Sequence, residues 1–140
     1  MIRVRKDFGL DTDAAPDVVF VEFAVNDVWG AEMTISQNME SIVCQLMSFK
    51  KIPVIIFVYT TSVSSINKKG TGEFTVEKSI KAHHAVAERY GIYEVNLNDY
   101  IWEGVKKGEY VWEANTAGSL TGDGVHPNDN GYDVYTKRII

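Results

Sequence analysis

The chain has 140 residues, of which 45% are hydrophobic and 24% are charged, and its formal net charge is −5. This length and composition predict one globular domain with one substantial core. The acidic balance argues against nonspecific binding to nucleic acid, which requires a basic surface, and the single cysteine excludes an internal disulfide and a cysteine-based zinc cluster.

Three short apolar runs alternate with helical patterns along the chain. The runs cover residues 18–25, 54–59 and, more weakly, 92–97. The first two are β-rich and nearly continuous, which is typical of strands covered on both faces. This order of strands and helices predicts an α/β fold with a parallel sheet.

The helices between these runs follow from apolar spacing and from end signals. Apolar residues at helical spacing predict a helix through residues 39–47, with Thr34 and Gln37 as its capping box. A second helix is predicted from about residue 75 to residue 90, where Gly91 would end it. A last helix is predicted to open at Gly131, after a surface loop over residues 106–123.

Polar residues follow the first two predicted strands at the edge where parallel sheets bind ligands. Asn26 and Asp27 come after the first run, and Thr60 and Ser62 come after the second. An Asn-Asp pair in this position is, taken alone, ordinary turn chemistry. At a ligand-binding edge, we expect Asp27, Thr60 and Ser62 to contact substrate.

The sequence Asp-Gly-Val-His-Pro at residues 123–127 places Asp123 three residues before His126. The carboxylate can orient the imidazole, which can then carry a proton near neutral pH. Taken alone, the pair also fits a loop cap beside a surface histidine. Together with the amide of Asn26 at the same predicted edge, it supplies two of the three parts of an acyl-transfer site.

Two segments of this sequence resemble conserved blocks of the SGNH/GDSL hydrolases, a family of esterases and lipases. Residues 16–27, which end in Asn26-Asp27, resemble the third block, and residues 123–129 resemble the fifth block with its Asp-x-x-His-Pro pattern. The resemblance implies a flavodoxin-like three-layer α/β/α sandwich with a mainly parallel sheet. It also implies that His126 is the general base, that Asp123 orients it and that Asn26 donates to the oxyanion.

The same resemblance implies hydrolysis of acyl or acetyl esters of carbohydrates or lipids, without a metal or another cofactor. The expected partner is therefore a small-molecule ester or a carbohydrate, and neither nucleic acid nor a membrane. No apolar run is long enough to span a bilayer, and the first seven residues lack the pattern of a signal peptide. The compartment is left open.

The chain departs from the family pattern before the third block. The family's Gly-Asp-Ser nucleophile block and its glycine oxyanion donor both precede that block, whereas only fifteen residues without a serine precede Pro16 here. Residues 3–13 are interpreted as the tail of the helix before the third family strand. We therefore expect residues 1–140 to form a single but partial domain that lacks the first strands and the nucleophile. The block's usual glycine is also replaced, by Ala24.

Two alternatives remain open at this point. Ser62, Ser64 or Ser65 could replace the missing nucleophile, since all three follow the second strand. The chain could instead be a non-catalytic module that binds a ligand or oligomerises. In either case we expect a homo-oligomer through the open strand at residues 18–25, because exposed apolar edges recruit other chains.

Trp102 and Trp112 also allow two interpretations. They could line a sugar-binding cleft, or they could anchor the long loop that leads to Asp123.

Overall fold

The computed structural model describes residues 16–71 and 75–140. The helix tail predicted at residues 3–13 lies outside the described residues. Three strands, β1 (Val18–Val21), β2 (Val54–Tyr59) and β3 (Tyr93–Asn96), form a parallel sheet in the order β1-β2-β3. The predicted α/β fold with a parallel sheet is confirmed.

Five helices and one 3-10 turn connect or flank these strands in the described residues. They are the 3-10 turn (Asn26–Trp29), α1 (Glu32–Met47), α2 (Val63–Asn67), α3 (Val76–Tyr90), α4 (Leu97–Lys106) and α5 (Asp129–Ile139).

The helices cover both faces of the sheet and produce three layers. Because side chains alternate along a strand, Phe57 of β2 packs against α1 and α3, whereas its neighbour Val58 packs against α4 and α5. Met39 and Val86 belong to the first cluster, and Ile101 belongs to the second. Fully burying one such side chain contributes on the order of 1.5–3 kcal/mol, so these two clusters hold the layers together.

The first strand is shorter than the sequence predicts. β1 ends at Val21 rather than at residue 25, because the following residues turn. In that turn the backbone N–H of Asp27 donates to the carbonyl of Phe23 at 2.9 Å, and the hydroxyl of Ser79 donates to the carbonyl of Ala24 at 2.6 Å. These bonds replace strand pairing beyond Val21 and place Asn26 in the 3-10 turn.

Of the two predicted helix ends, the C-terminal end of α3 is confirmed and the N-terminal cap of α1 is wrong. α3 ends where Gly91 adopts a left-handed conformation (φ 64°), as predicted. α1 begins at Glu32 with Ala31 as its N-cap and has no side-chain cap, so the predicted capping box of Thr34 and Gln37 is wrong.

Two helices were not predicted from the sequence. α2 begins directly after β2, and Ser62 caps it by accepting the N–H of Ser65. α4 begins directly after β3, and Asn96 caps it by accepting the N–H of Asp99. Both segments are too short, or follow a strand too closely, for apolar periodicity to reveal them.

β1 lies at the edge of the sheet that the described residues form. Three apolar side chains of β1 and β2 are exposed there, Val18 at 43%, Phe20 at 55% and Val54 at 48%. Val19 and Val21 face α1 and α3, so Phe20 projects from the opposite face. Across residues 16–71 and 75–140, none of the helices has the length and apolarity that a membrane span requires.

Candidate active site

Asp123 and His126 form a directly bonded pair in the loop before α5. Oδ2 of Asp123 accepts the Nδ1–H of His126 at 2.6 Å. Oδ1 accepts the backbone N–H groups of Val125 at 2.8 Å and of His126 at 2.7 Å. The side-chain bond to His126, followed by these two amides, lowers the pKa of Asp123 below its ordinary value of 3.8. Asp123 is therefore an ionised, fully bonded acceptor.

The bond to Asp123 determines which nitrogen of His126 can do chemistry. Since Nδ1 is occupied, Nε2 is the nitrogen available to exchange a proton. Nε2 has no hydrogen-bond partner among the described residues, and the side chain of His126 is 79% exposed. An oriented imidazole with an open Nε2 is the arrangement that a general base requires.

The hydroxyl of Thr121 holds the loop that carries this pair. It donates to the carbonyl of His126 at 2.7 Å and accepts the N–H of Gly124 at 2.9 Å. The carbonyl of Gly124 in turn accepts the N–H of Val63 at 2.6 Å. Val63 is the first residue of α2, which follows β2, so the loop is fixed to the carboxyl edge of the sheet as predicted.

Trp112 anchors the same loop from beneath. Its indole N–H donates to the carbonyl of Gly124 at 3.2 Å, and its ring stacks on Tyr135 of α5 with the centroids 5.8 Å apart. At 1% exposure Trp112 is a loop anchor and does not line a sugar-binding cleft. The ring of Trp102 contacts two ammonium groups instead, those of Lys69 and Lys106, which lie 4.9 Å and 4.8 Å from its centroid.

Asn26 opens the 3-10 turn after β1 and is exposed. Its side-chain amide makes no hydrogen bond to any residue in the described ranges. β1 and β2 are neighbouring parallel strands, so the Asn26 turn and the Asp123–His126 loop lie at the same edge of the sheet. The structure thus brings Asp123 and His126 into direct contact and places Asn26 at their edge without a hydrogen bond to either.

The three residues expected to contact substrate are bonded within the protein. Oδ2 of Asp27 lies 2.8 Å from Nε2 of His83. The hydroxyl of Thr60 donates to the carboxylate of Glu22 at 2.7 Å. Ser62 is 7% exposed and caps α2. Their role in substrate binding stays a prediction.

No serine in the sequence is bonded to His126. All eight serines lie in the described residues, and each hydroxyl has a partner elsewhere. Of the three proposed substitutes, Ser62 and Ser65 are buried and bonded to each other at 3.1 Å, and Ser65 also accepts the N–H of Val76 at 3.0 Å. Ser64 is exposed, and its hydroxyl lies 2.9 Å from that of Ser62. The structure therefore contains a bonded Asp123–His126 pair to which no serine hydroxyl is bonded.

No motif in the sequence connects His83 or Ser79 with the site. His83 is 1% exposed and Ser79 is 0% exposed, and both contact the segment around Asn26. Burial lowers the pKa of His83, although the bond to Asp27 and the charges of Glu22 and Glu94 oppose that shift. The signal available in the sequence was their spacing of four residues, which places both on one face of α3.

No group of three or more His, Cys, Asp or Glu side chains in the described part of the chain is arranged to hold a metal ion.

Similar structures share this fold. The chain is similar to a two-domain esterase (CEX) active on acetylated mannans, with TM-scores of 0.68 and 0.67 at 24% and 25% identity for two structures, one of them co-crystallised with mannopentaose. It is similar also to the acetyl xylan esterase AlAXEase (TM-score 0.67, 19% identity) and to LAE5, an alpha/beta hydrolase enzyme from the metagenome of Lake Arreo, Spain (TM-score 0.68, 19% identity).

These similarities cover most of this chain and part of the others. They span 89% of this chain for the two esterases and 97% for LAE5, but 29% of CEX, 65% of AlAXEase and 62% of LAE5. The chain thus spans less than two thirds of the length of each.

No functionally curated protein shows significant sequence similarity to the chain. A family model, the GDSL-like lipase/acylhydrolase family, matches residues 2–134 and includes both the Asn26 turn and the Asp123–His126 loop. The chain belongs to the GDSL-like lipase/acylhydrolase family.

Proposed function

We propose that this chain carries the general-base part of a carboxylic-ester hydrolase site. In this proposal His126 is the base, Asp123 orients it and Asn26 donates to the oxyanion. The observation that carries the proposal is the 2.6 Å bond between Asp123 and Nδ1 of His126, which leaves Nε2 open. Membership of an acylhydrolase family supports it, and so does the side-chain amide of Asn26, which lies at the same edge and bonds to none of the described residues.

The chemistry follows from the open Nε2. Because no serine bonds to His126, the attacking hydroxyl available to these residues is water. Nε2 removes a proton from water while the water oxygen attacks the ester carbonyl carbon. The carbonyl oxygen becomes an oxyanion, which accepts a hydrogen bond from the side-chain amide of Asn26. The tetrahedral intermediate then collapses, and the leaving alcohol takes the proton back from His126. The products are one carboxylic acid and one alcohol.

The expected rate is low, because water replaces an activated serine. Protease sites that lose a triad member keep roughly 10³–10⁴-fold acceleration over the uncatalysed reaction, which comes from the oxyanion donors and from binding. A serine hydroxyl supplied from outside residues 1–140 would occupy the position of that water and raise the rate.

The substrate class that we propose is an acetyl or other short acyl ester of a carbohydrate. The similar structures include an esterase active on acetylated mannans and an acetyl xylan esterase. The exposure of His126 agrees with this class, because a base on an open edge can reach an ester on a bulky polymer.

The test is hydrolysis of p-nitrophenyl acetate by purified protein of known oligomeric state. We expect turnover that His126→Ala abolishes and that Asn26→Ala reduces by about 10²-fold, as for loss of one oxyanion donor. His84→Ala is the matched control, since His84 is also an exposed histidine paired with a carboxylate, that of Glu94, and should retain the wild-type rate. Equal rates for wild type and His126→Ala would overturn the proposal.

One observation favours a second candidate function, binding without turnover. Every serine hydroxyl is bonded away from His126, so the edge can hold an ester without an assembled nucleophile. Titration with an acetylated xylo-oligosaccharide would then give binding that Asn26→Ala weakens, together with no release of acetate. Release of acetate that depends on His126 would exclude this candidate.

A further inference from the structure

Two buried side chains of α3 hold the backbone on either side of Asn26. The hydroxyl of Ser79 donates to the carbonyl of Ala24 at 2.6 Å, two residues before Asn26. Nε2 of His83 lies 2.8 Å from the carboxylate of Asp27, one residue after it. Ser79 and His83 are four residues apart, so a single face of one helix reaches both sides of the turn.

Within residues 16–71 and 75–140, the side chain of Asn26 itself makes no hydrogen bond. The turn is closed by the backbone, in which Asp27 donates to Phe23 and Gly30 donates to Asp27, each at 2.9 Å. The direction of the Asn26 amide is therefore determined by how firmly its two neighbours are held. An oxyanion donor must lie within about 2.7–3.1 Å of the developing charge, so small displacements of the turn matter.

His83 is suited to this task by its surroundings. Its ring packs between the sheet and the turn, with its centroid 6.2 Å from that of Phe57 and 5.9 Å from that of Tyr59. The charged groups that face it are Asp27 in the 3-10 turn, Glu22 after β1 and Glu94 on β3. A carboxylate only accepts hydrogen bonds, so Nε2 of His83 must carry the hydrogen that it donates to Asp27.

We propose that His83 and Ser79 are positioning residues that act on Asn26 through the backbone of the 3-10 turn. They touch neither substrate nor His126, and they orient the amide that receives the oxyanion. This inference rests on the proposed role of Asn26, and its consequence for turnover is a change in kcat rather than in KM.

The experiment compares His83→Leu, which removes the donor, with His83→Gln, which retains an amide N–H. Ile101→Val is the matched control, because it removes a methylene from the core cluster on the other face of the sheet. Hydrogen exchange of the backbone amides of Asp27 and Gly30 is measured by NMR. We expect exchange at least tenfold faster in His83→Leu, near wild type in His83→Gln, and unaltered relative to other amides in Ile101→Val. Unchanged exchange in His83→Leu would overturn the proposal.

A double-mutant cycle on p-nitrophenyl acetate hydrolysis adds a readout that a purely structural role would not move. We expect His83→Leu to lower kcat by about 10- to 100-fold with KM unchanged, the order expected for a displaced catalytic group. In the Asn26→Ala background the same change should cost nothing further. A full additional loss there would mean that His83 does not act through Asn26. If His126-dependent turnover is absent, the proposed hydrolysis fails, and the exchange measurement alone decides whether His83 holds the turn.

Discussion

Thr121→Val is expected to loosen the loop that carries His126. The substitution keeps the shape of the side chain but removes the hydroxyl that joins the carbonyl of His126 to the N–H of Gly124. Thr121 is 2% exposed, so water cannot fully replace these two bonds. Leaving a buried polar group without a hydrogen bond costs about 1–3 kcal/mol, and leaving a partly exposed one costs less. Because the carbonyl of His126 and the N–H of Gly124 both lose their partner, we expect the free energy of unfolding to fall by about 2–3 kcal/mol.

Urea unfolding followed by circular dichroism measures this loss, with Thr121→Ser as the matched control. The loss corresponds to a fall of about 6–9 °C in Tm for a chain of this size. Thr121→Ser keeps the hydroxyl and should lose much less. Hydrogen exchange at Gly124 should also accelerate in Thr121→Val. The reasoning is refuted if Thr121→Val unfolds at the wild-type urea concentration, or if Thr121→Ser loses as much as Thr121→Val.

Three further outcomes are expected. Gly131→Ala should lower the free energy of unfolding by about 1–3 kcal/mol, because its Cβ would lie 2.1 Å from the carbonyl oxygen of Leu120, whereas Gly122→Ala meets no neighbour and should be tolerated in the same urea titration. Burial lowers the pKa of His83 below its ordinary value of 6.5, so the unfolded chain takes up that proton first; stability should fall as the pH drops below 6.5, and an equal fall in His83→Gln would contradict this assignment. If β1 pairs with a second copy, sedimentation should show a dimer that Phe20→Lys converts to monomer, and a wild-type monomer at micromolar concentration would exclude that interface.

The fold was largely predictable because its strands carry a local signal. A strand covered on both faces needs nearly every residue to be apolar, and the run at residues 54–59 meets that requirement without any knowledge of its neighbours. The end of α3 was equally local, since Gly91 alone can adopt the left-handed conformation at little cost. The short helix α2 was not predictable, because its five residues form less than two turns and its cap depends on Ser62 folding back on Ser65.

In the candidate site, too, contacts between residues close in sequence were predictable and contacts between distant residues were not. Asp123 and His126 are three residues apart, so their bond forms within one loop and could be expected from the motif. The pairing of His83 with Asp27 joins residues 56 positions apart, and no motif records it. Tertiary structure also decided that Ser62 and Ser65 lie buried, which sets them apart from a nucleophile that must reach Nε2 of His126.

The sequence by itself determined which segments could be strands and which residues could act as base, orienter and amide donor, because side-chain chemistry and short-range spacing are properties of the chain. The tertiary structure alone decided which of these groups meet. Packing of α3 against the sheet brings Ser79 and His83 to the turn of Asn26, and the hydroxyl of Thr121 fixes the loop of His126. Such contacts depend on how whole layers pack, because the favourable free energy of burying apolar surface is obtained only when distant segments come together and exclude water.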